Sequence, residues 1–303
     1  MTESALLPMV FGGIDDERYS SFELARVLVL PVSYEGTVSY GKGTGEGAMA
    51  IIDASRNMEL YDEETNAEVY KIGIHTLEEF RPRPTPEKMM QDLYDYVKEI
   101  LRTGKFLCTI GGEHSISAPI IKAHVEKFYN LSVLQIDAHA DLRDTYDGTP
   151  YSHASIMARV VKDMAIPSVQ VGIRSISAEE ARNLPKLSNT KIFWAKDIVG
   201  KTDWIEEAVD ALTENVYLTI DIDGLDPSLV PTTGTPEPGG LGWYETLALI
   251  KRLTEKRRVV GMDLVEFSKT DFSHAPAFLC AKLIYKAFAY IFYDETPKLQ
   301  EIV

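Results

Sequence analysis

The sequence feature that most constrains the fold is an apolar run that ends in ligand-type side chains at alternate positions. Residues 133–136 predict a buried strand. Asp137, His139 and Asp141 follow it, and side chains two residues apart in extended backbone point to the same side. Two carboxylates beside an imidazole are unfavourable without a positive charge among them, because like charges oppose each other's ionisation. A divalent cation would supply that charge, although the same residues could simply cap a turn at the strand end.

Two further apolar runs end in the same kinds of side chain. Residues 216–220 lead into Asp221 and Asp223, and residues 106–110 lead into His114. Open α/β sheets place their sites at the carboxyl ends of strands, so we expect these side chains at one edge of a sheet. The candidate metal ligands are four carboxylates and two imidazoles: His114, Asp137, His139, Asp141, Asp221 and Asp223.

Charge balance among these side chains favours two metal ions over one. Two divalent cations would neutralise the four carboxylates, and the set exceeds what one tetrahedral zinc site requires. Oxygen and nitrogen ligands without thiolate suit Mn²⁺. Two such ions, roughly 3.5–4 Å apart, can activate a water molecule as a nucleophile, which predicts metal-assisted hydrolysis. Glu266, at the end of another predicted strand, is a further acid at the same edge.

The whole chain alternates predicted strands and helices, without an internal repeat or a low-complexity insert. This alternation predicts one α/β domain over residues 1–303, with a mostly parallel sheet of about eight strands and an irregular N-terminal arm, 1–24. The predicted strands cover residues 25–31, 69–74, 106–110, 133–136, 168–173, 191–195, 216–220 and 259–266. The predicted helices cover residues 48–60, 85–102, 116–128, 202–212, 244–255 and 276–291, with one more ending near residue 162.

Composition narrows the classes of partner and compartment. Acidic residues outnumber basic ones, 46 to 31, and the formal net charge of −15 argues against nucleic acid and anionic membrane while suiting a cationic ligand. Cys108 and Cys280 form no C-x-x-C pair, so no disulfide framework is indicated and a reducing cytoplasm fits. No signal-peptide pattern and no apolar run of about 18 residues occurs, so secretion and membrane spanning are not expected.

The glycine-rich segment 33–47 invites comparison with phosphate-binding loops. It contains neither G-x-x-x-x-G-K-[ST] nor G-x-G-x-x-G in register. We therefore favour a tight, backbone-rich loop near the mouth of the site over a phosphate loop.

Motifs spread over nearly the whole chain resemble those of the ureohydrolase family, which comprises arginases, agmatinases and related amidinohydrolases. The resemblance implies a three-layer α/β/α fold, assembly into trimers or hexamers, and cleavage of a guanidino group to urea and an amine. The motifs are G-G-E-H-S at 111–115, D-A-H-A-D at 137–141, Y-S-H-A-S at 151–155, D-I-D-G-L-D-P at 221–227, T-G-T-P-E-P-G-G at 233–240 and D-L-V-E at 263–266.

The resemblance also implies two Mn²⁺ ions per subunit and a role for each matched residue. Asp141 would relay a proton to the leaving amine, and His153 would shuttle protons to solvent beside the substrate. Glu266 would pair with the guanidinium, with Thr235 as a hydrogen-bonding neighbour. The implied ligand sets are His114, Asp137, Asp141 and Asp221 for one ion, and Asp137, His139, Asp221 and Asp223 for the other.

The predicted substrate is agmatine, cleaved to putrescine and urea. Residues 142–153 look like agmatinases and lack the Asn/Ser-rich loop of arginases, and Asp144 and Asp147 would favour a cationic tail. Other guanidino-acid or formimino hydrolases (guanidinobutyrase, arginase, formimidoylglutamase) remain alternatives. A non-catalytic metal-binding subunit is an alternative of another class, against which the presence of His153 and Glu266 counts.

Overall fold

An eight-stranded parallel sheet forms the centre of this computed structural model, which describes residues 9–299. The strand order is β2-β1-β3-β8-β7-β4-β5-β6, and every pairing within the sheet is parallel. The strands are β1 Val27–Val32, β2 Ile74–Thr76, β3 Phe106–Gly111, β4 Leu131–Ile136, β5 Ser168–Ile173, β6 Thr190–Trp194, β7 Asn215–Asp221 and β8 Arg258–Val265. A separate antiparallel pair joins Tyr61–Asp62 to Ala67–Glu68.

Helices cover both faces of the sheet, which gives three layers. In β1, Val27 and Val29 belong to one hydrophobic core, whereas Leu28 and Leu30 belong to the other. Strands buried on both faces are continuous apolar runs, which is why the sequence pattern located most of them. The α-helices are α1 Glu17–Ser20, α2 Gly47–Ser55, α3 Pro86–Arg102, α4 Ser117–Lys127, α5 Ile156–Ala158, α6 Ala178–Asn183, α7 Ala195–Ile198, α8 Trp204–Asp210, α9 Trp243–Lys256 and α10 Ala275–Ile291.

The strand order brings four candidate site segments together. Strands β3, β8, β7 and β4 are adjacent at the middle of the sheet, although the chain reaches them at widely separated positions. Because they are parallel, their carboxyl ends meet at one edge. The candidate metal ligands lie at this edge, at the last residue of β7 or shortly after the ends of β3, β4 and β7.

Helix α3 illustrates how local sequence sets an element boundary. The Thr85 side chain accepts a hydrogen bond from the Lys88 backbone N–H at 3.3 Å, and Pro86 occupies the first helical position. Proline is tolerated there because its missing N–H would have no helical partner. Met89, Leu93, Val97 and Ile100 then face the core, so the predicted helix is confirmed.

The structure corrects the predicted strand at residues 69–74. Residues Val69–Ile72 form a 3-10 helix instead, and the strand begins only at Ile74. Gly73 has φ 86°, and a Cβ there would lie 2.8 Å from the Cα of Ala25. A glycine is therefore needed between the helix and the strand, and the apolar run is divided by it.

Two other segments differ from the expectations in their details. Residues 1–8 of the expected arm lie outside the described residues, while residues 9–24 include the 3-10 helix Phe11–Gly13 and α1. Phe11 is fully buried against Phe288, so this part of the arm packs into the core. The helix predicted to end near residue 162 consists of α5 followed by a π-helical turn, Arg159–Asp163. Within residues 9–299, no helix has the length and apolar character to cross a membrane.

Candidate metal centre

The first cluster of ligand atoms surrounds His114, directly after β3. Its Nδ1 lies 3.1 Å from a carboxylate oxygen of Asp137, 3.1 Å from one of Asp141 and 3.4 Å from one of Asp221. His114 and Asp137 are completely buried, and the other two are nearly so. Among the described residues, His114 Nδ1 has no hydrogen-bond partner. A buried nitrogen facing three carboxylates in this way is suited to bind a cation.

The second cluster surrounds His139 and shares Asp137 with the first. His139 Nδ1 lies 3.0 Å from a carboxylate oxygen of Asp223 and 3.6 Å from one of Asp137. The ligand atoms of His114, Asp137 and Asp141 lie within 4.8 Å of one another, as do those of Asp137, His139 and Asp223. The structure therefore brings all the candidate ligands together, in two groups that could each hold a metal ion.

Backbone N–H donors fix one carboxylate oxygen, Oδ1, in each of three aspartates. Asp137 Oδ1 accepts the His139 N–H at 2.6 Å, and Asp221 Oδ1 accepts the Asp223 N–H at 3.0 Å. Asp223 Oδ1 accepts the Ala138 N–H at 3.0 Å. The Asp-x-His and Asp-x-Asp spacings allow the first two bonds, because an aspartate readily binds the backbone two residues on. In each case Oδ2 lies 3.0–3.4 Å from an imidazole Nδ1. Asp137 Oδ2 also accepts a hydrogen bond from the Gln135 side chain at 2.6 Å.

A threonine and a buried aspartate set the tautomer of His114. The Thr219 hydroxyl donates to Asp263 Oδ1 at 2.6 Å, so its lone pair faces His114 Nε2 at 2.9 Å. His114 must then carry its hydrogen on Nε2, which leaves the Nδ1 lone pair directed at the clustered carboxylates. Tyr217 donates a hydrogen bond to the other oxygen of Asp263 at 2.8 Å. The sequence analysis missed Thr219 and Asp263, although an aspartate inside an apolar strand is a signal in itself.

The electrostatics of the cluster favour a cation. Burial, together with the charge of Asp137, raises the pKa of Asp141 to about 7. Burial and the nearby charges of Asp223 and Asp137 raise the pKa of Asp221 well above its ordinary value. Crowding of buried carboxylates therefore opposes their ionisation, and divalent cations bound among them would relieve this repulsion.

The remaining predicted site residues line a cavity of about 300 Å³ beside the clusters: His153, Thr235 and Glu266. Glu266 Oε1 accepts the backbone N–H of His114 at 2.7 Å, and burial raises the pKa of Glu266 well above its ordinary value. The Thr235 hydroxyl lies 3.5 Å from His139 Nε2, a neighbour that the sequence analysis did not assign to it. Asp141 and Glu266 both have positive φ, 52° and 64°, a strained backbone that often occurs at functional sites.

The glycine-rich segment 33–47 contributes a wall of the cavity, as predicted. Val38 and Tyr40 are among the residues lining it. The backbone N–H groups of Gly43 and Gly45 donate to Glu35 Oε2 at 2.8 and 3.0 Å. Because a carboxylate of the chain already occupies these donors, the segment is not available as a phosphate loop.

The acidic residues predicted to favour a cationic tail are not those at the cavity. Asp144 forms an ion pair with Lys162 at 2.5 Å, and neither Asp144 nor Asp147 is among the described residues lining the cavity. Glu180 and Glu237 line it instead. Glu180 accepts the backbone N–H groups of residues 142 and 177, each at 2.8 Å, so its carboxylate already binds the backbone. The Glu237 carboxylate is therefore the one more available to a cationic ligand.

Fold and site together define a three-layer α/β protein with a candidate metal centre of carboxylates and imidazoles at the carboxyl ends of its parallel strands. The sequence model of the arginase family matches residues 25–289, and the chain belongs to this family. It is therefore a ureohydrolase that acts on amidines.

The chain is similar to individual proteins named as ureohydrolases and agmatinases. The chain is 37% identical over 294 residues to the N(1)-aminopropylagmatine ureohydrolase of Synechocystis sp., covering 94% of this chain and 95% of that protein. It is 31% identical over 263 residues to the agmatinase of Pyrococcus horikoshii, covering 86% and 90%. The crystal structure of agmatine ureohydrolase of Thermoplasma volcanium superposes with a TM-score of 0.82 at 28% identity, covering 92% and 94%.

Proposed function

We propose that this chain hydrolyses agmatine to putrescine and urea, with two Mn²⁺ ions per subunit. Three aspartates and two histidines surround Asp137, and this cluster is the observation on which the proposal rests. Two neighbouring divalent cations can lower the pKa of a water molecule between them, which makes that water a nucleophile at neutral pH. The two ligand groups, which share Asp137, support a pair of neighbouring sites. Asp221, whose carboxylate approaches His114 Nδ1, would be the second shared ligand.

The residues beside the clusters would bind the guanidinium and move protons. Glu266 would accept hydrogen bonds from the guanidinium, since its carboxylate lines the cavity and is held there by the His114 backbone N–H on Oε1. Asp141 would take the proton of the attacking water and relay it to the leaving amine nitrogen. His153 would then exchange protons with solvent, and Thr235 would hydrogen-bond beside the substrate. The products are urea and the protonated amine, which balances the addition of one water.

N(1)-aminopropylagmatine is a second candidate substrate, favoured by a specific observation. The Synechocystis relative of that name is 37% identical to this chain, compared with 31% for the Pyrococcus agmatinase. Such a substrate has an additional amine in its tail, and the acidic side chain of Glu237 lines the cavity where a tail would lie. Release of urea would give the corresponding triamine.

A panel of substrates tests these proposals. The full-length chain, loaded with Mn²⁺, is assayed by direct urea measurement with agmatine, N(1)-aminopropylagmatine, arginine and 4-guanidinobutyrate. We expect kcat/KM to be highest for one of the two guanidino amines. A preference for a guanidino acid would overturn the proposed substrate class. Absence of urea from all four would support the non-catalytic alternative.

Three properties of the whole molecule complete the proposal: residues 1–303 form one domain, the chain assembles as a homo-oligomer of trimeric or hexameric form, and it works in the cytoplasm. The single sheet, which contains strands from residues 27–265, supports the first. Phe272 and Tyr244 are about four-fifths exposed, at 79% and 81%, which supports a subunit contact. Cys108 and Cys280 are free and buried, which is compatible with a reducing compartment.

A further inference from the structure

A buried carboxylate outside the metal clusters, Glu113, holds the start of the glycine-rich segment. Its Oε2 accepts the backbone N–H groups of Gly36 at 2.7 Å and Thr37 at 2.6 Å. Its Oε1 accepts the hydroxyls of Thr37 at 2.6 Å and Ser115 at 2.5 Å. Two of these donors are backbone amides, which can only donate, so Glu113 acts as an acceptor. The proposed chemistry gives no role to this completely buried group.

The Thr37 hydroxyl connects Glu113 to His153. Thr37 Oγ1 accepts the backbone N–H of His153 at 3.2 Å and lies 3.3 Å from His153 Nδ1. A hydroxyl has one hydrogen, and the short contact with the Glu113 carboxylate uses it. Thr37 can therefore only accept a hydrogen bond from His153 Nδ1, and a hydrogen on Nδ1 avoids two lone pairs facing each other there. The Ser152 hydroxyl, 3.4 Å from Nδ1, is a second neighbour that can accept from the same N–H.

We infer that Thr37 is a positioning residue that selects the reactive tautomer of His153. With the hydrogen on Nδ1, the neutral imidazole has its lone pair on Nε2, the nitrogen left free to exchange protons in the cavity. Thr37 also fixes the ring on one side, while Tyr146 packs edge-on against it with ring centroids 5.6 Å apart. The inference rests on the proposed role of His153 in proton transfer.

Proton movement through this arrangement needs no other reactant. A proton that reaches Nε2 forms an imidazolium whose Nδ1–H continues to donate to Thr37 Oγ1. Thr37 keeps its own hydrogen bond to Glu113, so the carboxylate stabilises the imidazolium through the hydroxyl without taking the proton. Release of the proton from Nε2 to solvent restores the starting state.

The test compares Thr37→Val with Thr37→Ser in the full-length, Mn²⁺-loaded chain. Valine removes the hydroxyl but keeps the two backbone bonds from residues 36 and 37 to Glu113, so the segment stays attached. We expect kcat to fall by about 10–100-fold in Thr37→Val with little change in KM, and to recover in Thr37→Ser. Thr44→Val is the matched control, because the Thr44 hydroxyl lies 3.4 Å from Glu35 in the same segment and has no contact with His153.

A double-mutant cycle separates positioning from a structural role. If Thr37 acts through His153, Thr37→Val will lower kcat in the wild type but not further in a His153→Asn background. Equal losses in both backgrounds, or a loss that Thr37→Ser does not restore, would overturn the inference. Melting temperatures of all variants identify any that fail to fold; if Thr37→Val is one of them, Thr37→Ala, which also removes the hydroxyl, takes its place in the cycle.

Nuclear magnetic resonance provides a readout that does not require activity. In the full-length chain labelled with ¹⁵N-histidine and loaded with diamagnetic Zn²⁺, the His153 signal is assigned by its loss in His153→Asn. We expect the Nδ1–H tautomer in the wild type and in Thr37→Ser, and a shift toward Nε2–H in Thr37→Val. An Nε2–H tautomer in the wild type would overturn the inference. If the wild type releases no urea, the proposed function fails, and this measurement still decides the tautomer.

Discussion

His114 and His153 both line the same cavity, and each contacts a threonine whose hydroxyl donates to a buried carboxylate. Thr219 and Asp263 hold His114 through Nε2, which leaves Nδ1 facing the aspartates. Thr37 and Glu113 hold His153 through Nδ1, which leaves Nε2 free. Under the proposed function, the same arrangement would serve two roles, a metal ligand in His114 and a proton carrier in His153. The difference lies in what the free nitrogen faces.

The environments of the two rings explain their different chemistry. His114 is completely buried among carboxylates, which would make its protonation favourable if no cation were bound. His153 is half-buried away from them, and burial lowers its pKa to about 4. A neutral His153 is available to accept a proton at neutral pH, whereas His114 needs a metal ion to stay neutral among the aspartates.

The largest effect is expected from Asp137→Asn, which removes the charge shared by both clusters. Bound metal should fall from two ions toward none per chain, and kcat/KM by more than about 10³-fold, well beyond the loss caused by residues outside the ligand set. Metal content is measured by elemental analysis after gel filtration. Asp144→Asn is the matched control, since Asp144 pairs with Lys162 outside the cavity. Two bound ions per chain in Asp137→Asn would show that the Asp137 charge is not needed to hold the metal ions.

A smaller effect, of about 10–100-fold on Mn²⁺ affinity, is expected from Thr219→Val. Without the hydroxyl, His114 can place its hydrogen on Nδ1, which then cannot bind a metal. Mn²⁺ titration should restore activity in Thr219→Val, whereas added Mn²⁺ should not restore it in Thr37→Val. This difference would separate a threonine that acts through a metal ligand from one that acts through a proton carrier. The same response to added Mn²⁺ in both variants would contradict this prediction.

The smallest effect is a change in metal affinity with pH. The raised pKa of Asp141, about 7, means that its carboxyl holds a proton below that pH and that a cation must displace it. Mn²⁺ affinity should therefore fall as pH drops below 7, by up to about tenfold per pH unit for each proton displaced. Calorimetry in two buffers of different ionisation enthalpy measures the released protons. Proton release that does not change between pH 6 and pH 8.5 would contradict this prediction.

The sheet and the ligand set could be predicted because each follows from a short-range pattern. Buried parallel strands are continuous apolar runs, and β5 occurs at the predicted residues 168–173. Alternate spacing predicted that Asp137 and His139 lie close together before any tertiary contact was known. Asp223 was also predicted as a ligand, but it reaches the cluster from the 3-10 helix Ile222–Gly224 and not from extended backbone. The three-layer fold and the family assignment are confirmed by the structure and the sequence comparisons.

What the sequence could not provide depends on contacts between distant residues. Thr37 meets Glu113 across 76 positions and His153 across 116, and nothing local marks that meeting. The 69–74 segment reads as an apolar run until the close approach of Ala25 to Gly73 is known. Asp144 and Asp147 carry the right charge for a cationic ligand, but Asp144 pairs with Lys162 and neither is among the described residues that line the cavity. In each of these three cases the outcome depends on how close distant parts of the chain come to each other, and residue type alone does not reveal that.

The most direct test is to count metal ions in the active protein. The purified chain, stripped with a chelator and reloaded with Mn²⁺, is analysed for metal per chain while urea release from agmatine and N(1)-aminopropylagmatine is followed. We predict two ions per chain, with full activity reached only when the second ion binds. Full activity with a single ion per chain, or with none, would contradict the account.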